Sequence, residues 1–452
     1  MKTLSLQRRL FLKTAAALAG SIPFAPWQAL AASTGGSAGG NAGGNDYRAL
    51  VCLFMFGGND ANNMIVPTDL TRYLQYQRAR PNLALPQAAL VPLGTSGFGA
   101  HPAMAPLAAL FNANQAAVVA NVGPLMVPTS KAQFDARSVP LPSNLFSHSD
   151  QQGAWQSALV DAPARNGWGG RTLERVVANG ALNRGYSAIS LSGGNAWEGG
   201  DRGLSPYRVS SSGQFGFDFY DAAGKDPLSA AINSLLGEAR SDPFEQTWLN
   251  MMGRSIDNQR VLSSALSSAN LATVFPDTGL GRQLRMAARL IAARGQMGLP
   301  RQCFFCSIGG FDTHGDDQLQ RQNELLGEIA NAVAAFHAAT LEMGVAREVT
   351  LFSASDFGRT LASNGAGSDH GWGAHQWVVG GAVKGGQVVG RFPDLALGGP
   401  DDTGQGVWIP STAVDQMGGE LARWFGAETA VIDEVFPRLV HFNRDIGLMN
   451  LA

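Results

Sequence analysis

The chain has 452 residues, of which 45% are hydrophobic and 15% charged, and its formal net charge is −2. This composition predicts a large buried core, in one big domain or two. A chain without a basic excess has no electrostatic footprint for nucleic acid, so nucleic acid is not an expected partner. With three cysteines in total, the fold is not expected to depend on a disulfide framework.

The first residues have the pattern of an export signal. Positions 1–13 carry four basic residues and no acid, and Arg8-Arg9-Leu10-Phe11-Leu12-Lys13 resembles the twin-arginine consensus. A mildly apolar run follows and closes on the small residues Ala29-Leu30-Ala31. An ordinary secretion signal that happens to contain two arginines is the alternative.

We therefore predict that residues 1–31 are a twin-arginine signal peptide, which engages the twin-arginine translocase and is removed by signal peptidase. The apolar run is far short of the roughly 20 residues that span a bilayer, so no stable membrane anchor is expected. The mature protein is predicted to be periplasmic or secreted. Its oligomeric state does not follow from the sequence.

After the signal, residues 32–46 are rich in Gly, Ser and Asn and predict a flexible linker to a domain at 47–452. Continuous apolar runs predict strands buried on both faces of a sheet: Ala49–Phe56, Ala116–Ala120, Ser187–Leu191, Cys303–Ile308, Glu348–Ser353 and Trp377–Val379. Helical patterns alternate with them, which indicates a parallel α/β sheet. Residues from about 205 to 277 are predicted to form a helical cap or insertion.

Loops rich in Asp and His follow several predicted strands, at the edge where a parallel sheet carries its chemistry. The sequences are Gly57-Gly58-Asn59-Asp60, Gly309-Gly310-Phe311-Asp312-Thr313-His314, Ser355-Asp356-Phe357-Gly358-Arg359-Thr360 and, soon after, Asp369-His370-Gly371-Trp372-Gly373-Ala374-His375. Carboxylates and imidazoles together suit a divalent transition metal better than calcium. The predicted ligands of one or two ions, with zinc or manganese expected, are Asp60, Asp312, His314, Asp356, His370 and His375.

Each of these residues also has a structural interpretation. Asp60 and Asp356 each fit an N-cap of a neighbouring helix, and His314 and His375 fit buried structural histidines. The metal interpretation depends on their joint occurrence in loops that follow predicted strands.

The catalytic candidates are Ser147, His148, Ser149 and Arg359. Both serines precede an apparent helix, Gln151–Ala158, whose free backbone amides favour an anion. Either serine could equally be an ordinary N-cap residue. Arg359 is a candidate clamp for an oxyanion, or a packing residue.

These loops and the Ser147-His148-Ser149 segment resemble the exported bacterial proteins that carry domain of unknown function fifteen hundred and one, from about Arg48 to the C-terminus. That family is similar in turn to the alkaline phosphatase and sulfatase superfamily, whose members set a two-metal site at the edge of a doubly wound sheet. The resemblance implies a doubly wound, mostly parallel sheet flanked by helices.

The resemblance also implies roles for single residues. It gives Asp60 the position of the first-strand metal aspartate, Asp356 that of a later one, and Ser147 or Ser149 that of the nucleophile. Asp312 and His314 look like the superfamily's paired Asp and His, and His370 or His375 like its last histidine. Two departures stand out: the paired residues are two rather than four apart, and the usual Asp-His dipeptide is here Asp356-Phe357. One histidine must therefore come from elsewhere, or one metal is lost.

Taken together, the sequence predicts an exported metal-dependent hydrolase of phosphate or sulfate esters. Its substrate would be a small-molecule or carbohydrate ester, with extracellular carbohydrate one candidate. The alternative is a non-catalytic secreted or envelope module that keeps the fold for binding or assembly.

Overall fold

The computed structural model describes residues 47–161, 165–177, 185–211, 220–221 and 223–451. The predicted signal peptide and linker lie outside the described residues. In the part of the chain that is described, no helix combines the length and apolar character needed to cross a membrane.

Strands and helices alternate along the chain. The strands are β1 Arg48–Phe56, β2 Ile65–Pro67, β3 Val91–Pro92, β4 Phe98–Ala100, β5 Ala116–Gly123, β6 Ala188–Ser190, β7 Tyr207–Arg208, β8 Arg301–Gly309, β9 Val349–Ser355, β10 Ala374–Val379, β11 Val388–Val389 and β12 Thr412–Ala413. The helices are α1 Ala61–Met64, α2 Leu70–Ala79, α3 Ala105–Asn112, α4 Lys131–Asp135, α5 His148–Ser157, α6 Trp168–Val176, α7 Pro227–Leu236, α8 Pro243–Ser267, α9 Gly279–Ala292, α10 Arg294–Met297, α11 Gln318–Glu342, α12 Val414–Phe425 and α13 Thr429–Val435. Short 3₁₀ turns occur at Gln87–Ala89, Pro102–Met104 and Pro437–His441.

One large sheet organises the fold. Its strand order is β11-β5-β10-β9-β1-β8-β6-β7, and β12 pairs with β5 beside this path. All six strands predicted from apolar runs belong to it, which confirms the α/β class. A small separate sheet has the order β2-β4-β3.

The main sheet is mixed, with most of its strand pairs parallel and those of β10 antiparallel. β10 runs antiparallel to both β5 and β9, whereas the central strands β8, β1 and β9 run parallel. The doubly wound parallel arrangement is therefore not confirmed. An apolar run indicates that both faces of a strand are buried, but it carries no information on the direction of that strand.

The region predicted as an insertion contains elements of two kinds. β7 pairs with β6 and extends the main sheet. The helices α7 and α8 fall in a separate compact unit, Gly213–Ser268. Both helices begin with an Asp-Pro pair, in which Asp226 or Asp242 accepts hydrogen bonds from the first-turn amides and Pro fits the first helical position.

Three neighbouring strands at the centre of the sheet end next to one another, so the loops that follow them lie together. β1 lies between β8 and β9, and the register pairs Phe56 with Gly309 and Met55 with Ser355. The loops that begin at Gly57, Gly310 and Asp356 therefore leave the sheet side by side. This confirms the predicted convergence of the three loops.

Candidate metal centre

Two glycines allow these loops to meet. Gly57 has φ +113°, and a Cβ there would overlap the backbone of Asp312. Gly58 has φ +82°, and a Cβ there would overlap the ring of Phe357. Positive φ and close approach both require glycine at these positions. The Gly57-Gly58 pair thus brings the β1 loop against the other two.

Asp312 is the carboxylate around which the site is arranged. Its Oδ1 lies 2.6 Å from Arg359 Nη2 and 3.1 Å from His314 Nδ1. Its side chain is 50% exposed, so it faces the solvent opening of the site. Partial burial acts to raise the pKa of Asp312, but the hydrogen bond and charge of Arg359 hold this pKa below its usual value. Asp312 is therefore an ionised ligand candidate.

Arg359 is a buried clamp on the loops. Its Nε donates to the carbonyl of Gly58 at 2.9 Å, and its amino nitrogens donate to the carbonyls of Gly57 and Ser368 as well as to Asp312. The predicted role of Arg359 as an oxyanion clamp finds no support in this geometry, because its N–H groups are already bonded to the protein. Arg359 instead fixes the position of Asp312.

His148 is held from behind by a buried carboxylate. Its Nδ1 lies 2.6 Å from Asp356 Oδ2, which also accepts from Gln152 Nε2 at 2.9 Å and from the Gly57 amide at 3.2 Å. Because Oδ2 acts as an acceptor toward the other two donors, Nδ1 of His148 is the donor, and in the neutral tautomer with this hydrogen bond Nε2 has the lone pair. That Nε2 lies 3.5 Å from Asp312 Oδ2.

Asp356 itself is fully buried. Burial raises the pKa of Asp356 above its usual value, against the opposing hydrogen bonds from Gln152 and His148. Its Oδ1 has no hydrogen-bond partner among the described residues. The structure thus places Asp356 behind a histidine of the site, in the position of a supporting group.

His370, like His148, donates a hydrogen bond through Nδ1. Its Nδ1 lies 2.9 Å from the carbonyl oxygen of Phe146, which can only accept, so Nδ1 is the donor, and in the neutral ring Nε2 has the lone pair. That Nε2 is buried, has no hydrogen-bond partner among the described residues and lies 3.5 Å from Asp312 Oδ1. Two imidazole lone pairs therefore face one carboxylate.

This arrangement fits a cation. One ligand atom from each of His148, Asp312 and His370 lies within 4.8 Å of the other two. With both imidazoles neutral, these are three acceptor atoms that face each other, and a metal ion between them would satisfy all three. Nitrogen and carboxylate donors of this kind suit zinc, manganese or iron. We call His148, Asp312 and His370 the metal triad.

His314 completes the ring of imidazoles. Its side chain is 43% exposed, its ring centre lies 4.9 Å from that of His370, and its Nε2 lies 3.3 Å from Arg359 Nη1. Burial and the neighbouring Arg359 charge lower the pKa of His314. Phe357 packs on the other side against His148 and His370, at centroid distances of 4.8 and 4.5 Å. The triad therefore has an apolar wall.

Two predicted ligands do not reach the triad. Asp60 is buried and forms two hydrogen bonds with Arg80, at 2.9 and 3.1 Å. His375 is buried in β10, where its Nδ1 accepts from the Asn121 amide at 3.1 Å and its ring stacks on Phe392. Burial lowers the pKa of His375 to about 3. Both residues were predicted as ligands from their position near a strand end, and that position does not determine the direction of a side chain.

The predicted nucleophiles lie beside the triad at the start of α5. Ser147 Oγ and Ser149 Oγ lie 3.3 Å apart, and the Ser147 side chain does not cap the helix. The helix begins at His148 rather than at the predicted Gln151. No hydrogen bond among the described residues joins either serine to the triad.

An open cleft of about 780 Å³ adjoins this helix. Ser149 and Gln152 line it, together with Phe56, Arg165 and Asn195. Because Gln152 also donates to Asp356, the cleft shares a wall with the support of His148. A cleft of this size can hold a small-molecule substrate next to the triad.

Sequence reasoning missed Gln152, Arg80 and the Phe146 carbonyl. Gln152 stands four residues after His148, so helical spacing would have placed it on the same face had the helix been started at His148. Nothing in the sequence indicates the partners of Asp60 or His370, because Arg80 stands 20 positions after Asp60 with no marking pattern, and Phe146 stands 224 positions before His370.

No curated protein matches the chain significantly. A family model described as "Protein of unknown function (DUF1501)" matches residues 47–421. That match covers most of the chain, including every residue of the metal triad, and on this basis the chain belongs to the DUF1501 family of proteins of unknown function.

Proposed function

We propose that this protein is a metal-dependent hydrolase of phosphate or sulfate esters whose metal is held by the triad. The observation that carries the proposal is that Nε2 of His148 and Nε2 of His370 each lie 3.5 Å from an oxygen of the Asp312 carboxylate. Each of these histidines donates its Nδ1 proton to a fixed acceptor, as metal-ligating histidines usually do.

The donor set indicates the class of metal. Two imidazole nitrogens and one carboxylate favour zinc or manganese over magnesium or calcium, which prefer all-oxygen sites. Three protein ligands leave coordination positions free for water and substrate. When bound, such an ion supplies Lewis acidity toward an ester oxygen and an acidified water.

The surroundings favour an anionic ester. His148 is the first residue of α5, so the first-turn amides of this helix, which have no partner within it, lie beside the triad. Helix N-termini favour phosphate or sulfate groups. We place the ester group at the triad and its alcohol part, a small molecule or a carbohydrate, in the adjoining cleft.

Two measurements test the proposal together. The first is elemental analysis of the folded, purified protein, where we expect zinc or manganese. The second is turnover of aryl phosphate and aryl sulfate esters with either metal added. His148→Ala and His370→Ala should each lose both metal and turnover.

The matched control is His441→Ala, since His441 is an exposed histidine outside the triad. It should retain metal and turnover. A wild-type protein that binds no transition metal would refute the proposal. Bound metal without turnover of any ester tested would favour the alternative, a secreted or envelope binding module.

We further propose that the protein acts outside the cytoplasmic membrane after twin-arginine export. The Arg8-Arg9 pair carries this proposal. Because that route moves folded proteins, a metal could be inserted before export. Cell fractionation should find the wild type outside the cytoplasm and the Arg8→Lys, Arg9→Lys variant inside it; equal export of both would contradict this reading.

A further inference from the structure

The sequence predicts enough candidate ligands for two metal ions. In the structure, only some of them have an atom available to bind an ion. The metal triad keeps free acceptor atoms. Asp60, the buried carboxylate of the β1 loop, is instead paired with a positively charged side chain of the protein. That cation is the guanidinium of Arg80.

The pairing between Asp60 and Arg80 is two-pronged and fully buried. Arg80 Nη1 lies 2.9 Å from Asp60 Oδ2 and Arg80 Nη2 lies 3.1 Å from Oδ1. Neither side chain is exposed. Gln318 Nε2 donates to the same Oδ2 at 2.7 Å, so both oxygens of Asp60 are engaged. Bidentate geometry of this kind gives the strongest carboxylate hydrogen bonds.

Arg80 is fixed in this position by further acceptors. Its Nε donates to the Leu361 carbonyl at 2.9 Å and its Nη2 to the Thr360 carbonyl at 3.3 Å. A metal ion bound to Asp60 would lie next to a buried, immobile positive charge. Repulsion in a low-dielectric interior makes that arrangement unfavourable.

A chain of hydrogen bonds joins this pair to the triad. Gln318, which donates to Asp60, accepts from Ser368 Oγ at 2.9 Å. The Ser368 carbonyl accepts from Arg359 Nη1 at 2.9 Å, and Arg359 Nη2 donates to Asp312 at 2.6 Å. Asp60 therefore belongs to the support of the metal site rather than to its ligands.

We propose that Arg80 takes the place of a second metal ion, so that the hydrolase works with a single ion bound by His148, Asp312 and His370. The inference rests on the proposed function. It assigns Asp60 and Arg80 as positioning residues, which act on the metal only through Gln318, Ser368 and Arg359.

The test is a count of ions per chain. Full-length protein is stripped with a chelator, titrated separately with Zn²⁺ and Mn²⁺, freed of unbound ion by gel filtration and analysed for metal. The wild type should hold about one ion per chain at saturation, and His148→Ala should hold none. About two ions per chain in the wild type would overturn the inference and leave the proposed hydrolase standing.

A double variant, Asp60→Asn with Arg80→Met, removes both charges together, so that no lone buried charge remains. It should still hold about one ion per chain. A weaker affinity with about one ion at saturation fits the positioning role, whereas no bound ion at saturating Zn²⁺ or Mn²⁺, in a variant with the wild-type circular dichroism spectrum, would make Asp60 a ligand and overturn the inference. If the variant does not fold, the wild-type count decides alone. A wild type without any ion would refute the proposed function itself, and the inference with it.

Discussion

Asp356 offers the sharpest test of how the site is built, because the resemblance makes it a metal ligand whereas the structure puts it behind His148. Asp356→Asn can present an amide oxygen at the Oδ2 position and still accept from Gly57, His148 and Gln152. It loses the negative charge and places an amide NH2 group at the buried Oδ1 position. Asp356→Ala removes the acceptor for all three partly buried donors.

The expected magnitudes follow from these contacts. Loss of a supporting group behind a metal-bound histidine typically costs 10- to 100-fold in metal affinity. We expect Asp356→Asn near the lower end, about tenfold or ~1.4 kcal/mol, and Asp356→Ala near the upper end, about 100-fold or ~2.8 kcal/mol. Asp356→Ala should also be less stable, since a buried donor without a partner costs roughly 1–3 kcal/mol and these three partly buried donors cost part of that each.

The assay is a competition titration of metal-free protein against a chromophoric chelator, with circular dichroism to verify the fold. Asp445→Asn, a change at an exposed acid far from the triad in sequence, is the control and should bind metal as the wild type does. Two results would refute the reasoning. Wild-type affinity in Asp356→Ala would remove the supporting role, and a loss beyond about 1,000-fold in a folded Asp356→Asn protein would make Asp356 a direct ligand.

Three further predictions concern stability. Gly58→Ala should lower the melting temperature more than Gly193→Ala, because both have positive φ but only the former would collide with a side chain, Phe357; equal losses of roughly 1 kcal/mol would show that backbone strain alone decides. Burial raises the pKa of Glu198 from 4.5 to about 8, so the folded protein holds a proton that the unfolded chain releases, and stability should fall as pH rises through this window, by roughly 5 kcal/mol in all. The Glu198→Gln variant should lose most of that pH dependence in thermal melts, and an unchanged slope would contradict it. At an ion concentration 100 times the dissociation constant, bound metal stabilises the folded protein by about 2.7 kcal/mol. Chelation should therefore lower the melting temperature of the wild type but leave that of His148→Ala unchanged.

The fold was predictable where a buried element leaves a continuous run of apolar residues in the sequence. Runs such as Ala49–Phe56 and Cys303–Ile308 are apolar on both faces and mark β1 and β8 within one or two residues of their observed bounds. The direction of β10 leaves no such signal, since a strand buried on both faces reads the same in either orientation. The sheet was therefore foreseen as α/β but not as mixed.

The members of the candidate site were predictable in part, and their contacts were not. Loop position brought Asp312, His314 and His370 into consideration, and His148 entered as a catalytic candidate. The sequence could not reveal that Arg80, twenty positions after Asp60, would neutralise it, because an arginine at the end of a helix carries no mark of its partner. Ligands and supports differ in contacts that only the fold creates.

His370 and His375 show what that difference consists of. Both are histidines on one short segment, and both use Nδ1 in a hydrogen bond to the backbone. His370 meets a carbonyl, the acceptor of Phe146, so its proton is on Nδ1 and its Nε2 is free to bind a metal. His375 meets an amide, the donor of Asn121, so Nδ1 must accept and the proton of the neutral ring is on Nε2. A backbone group on a distant part of the chain therefore selects the tautomer, and the tautomer decides which histidine can be a ligand.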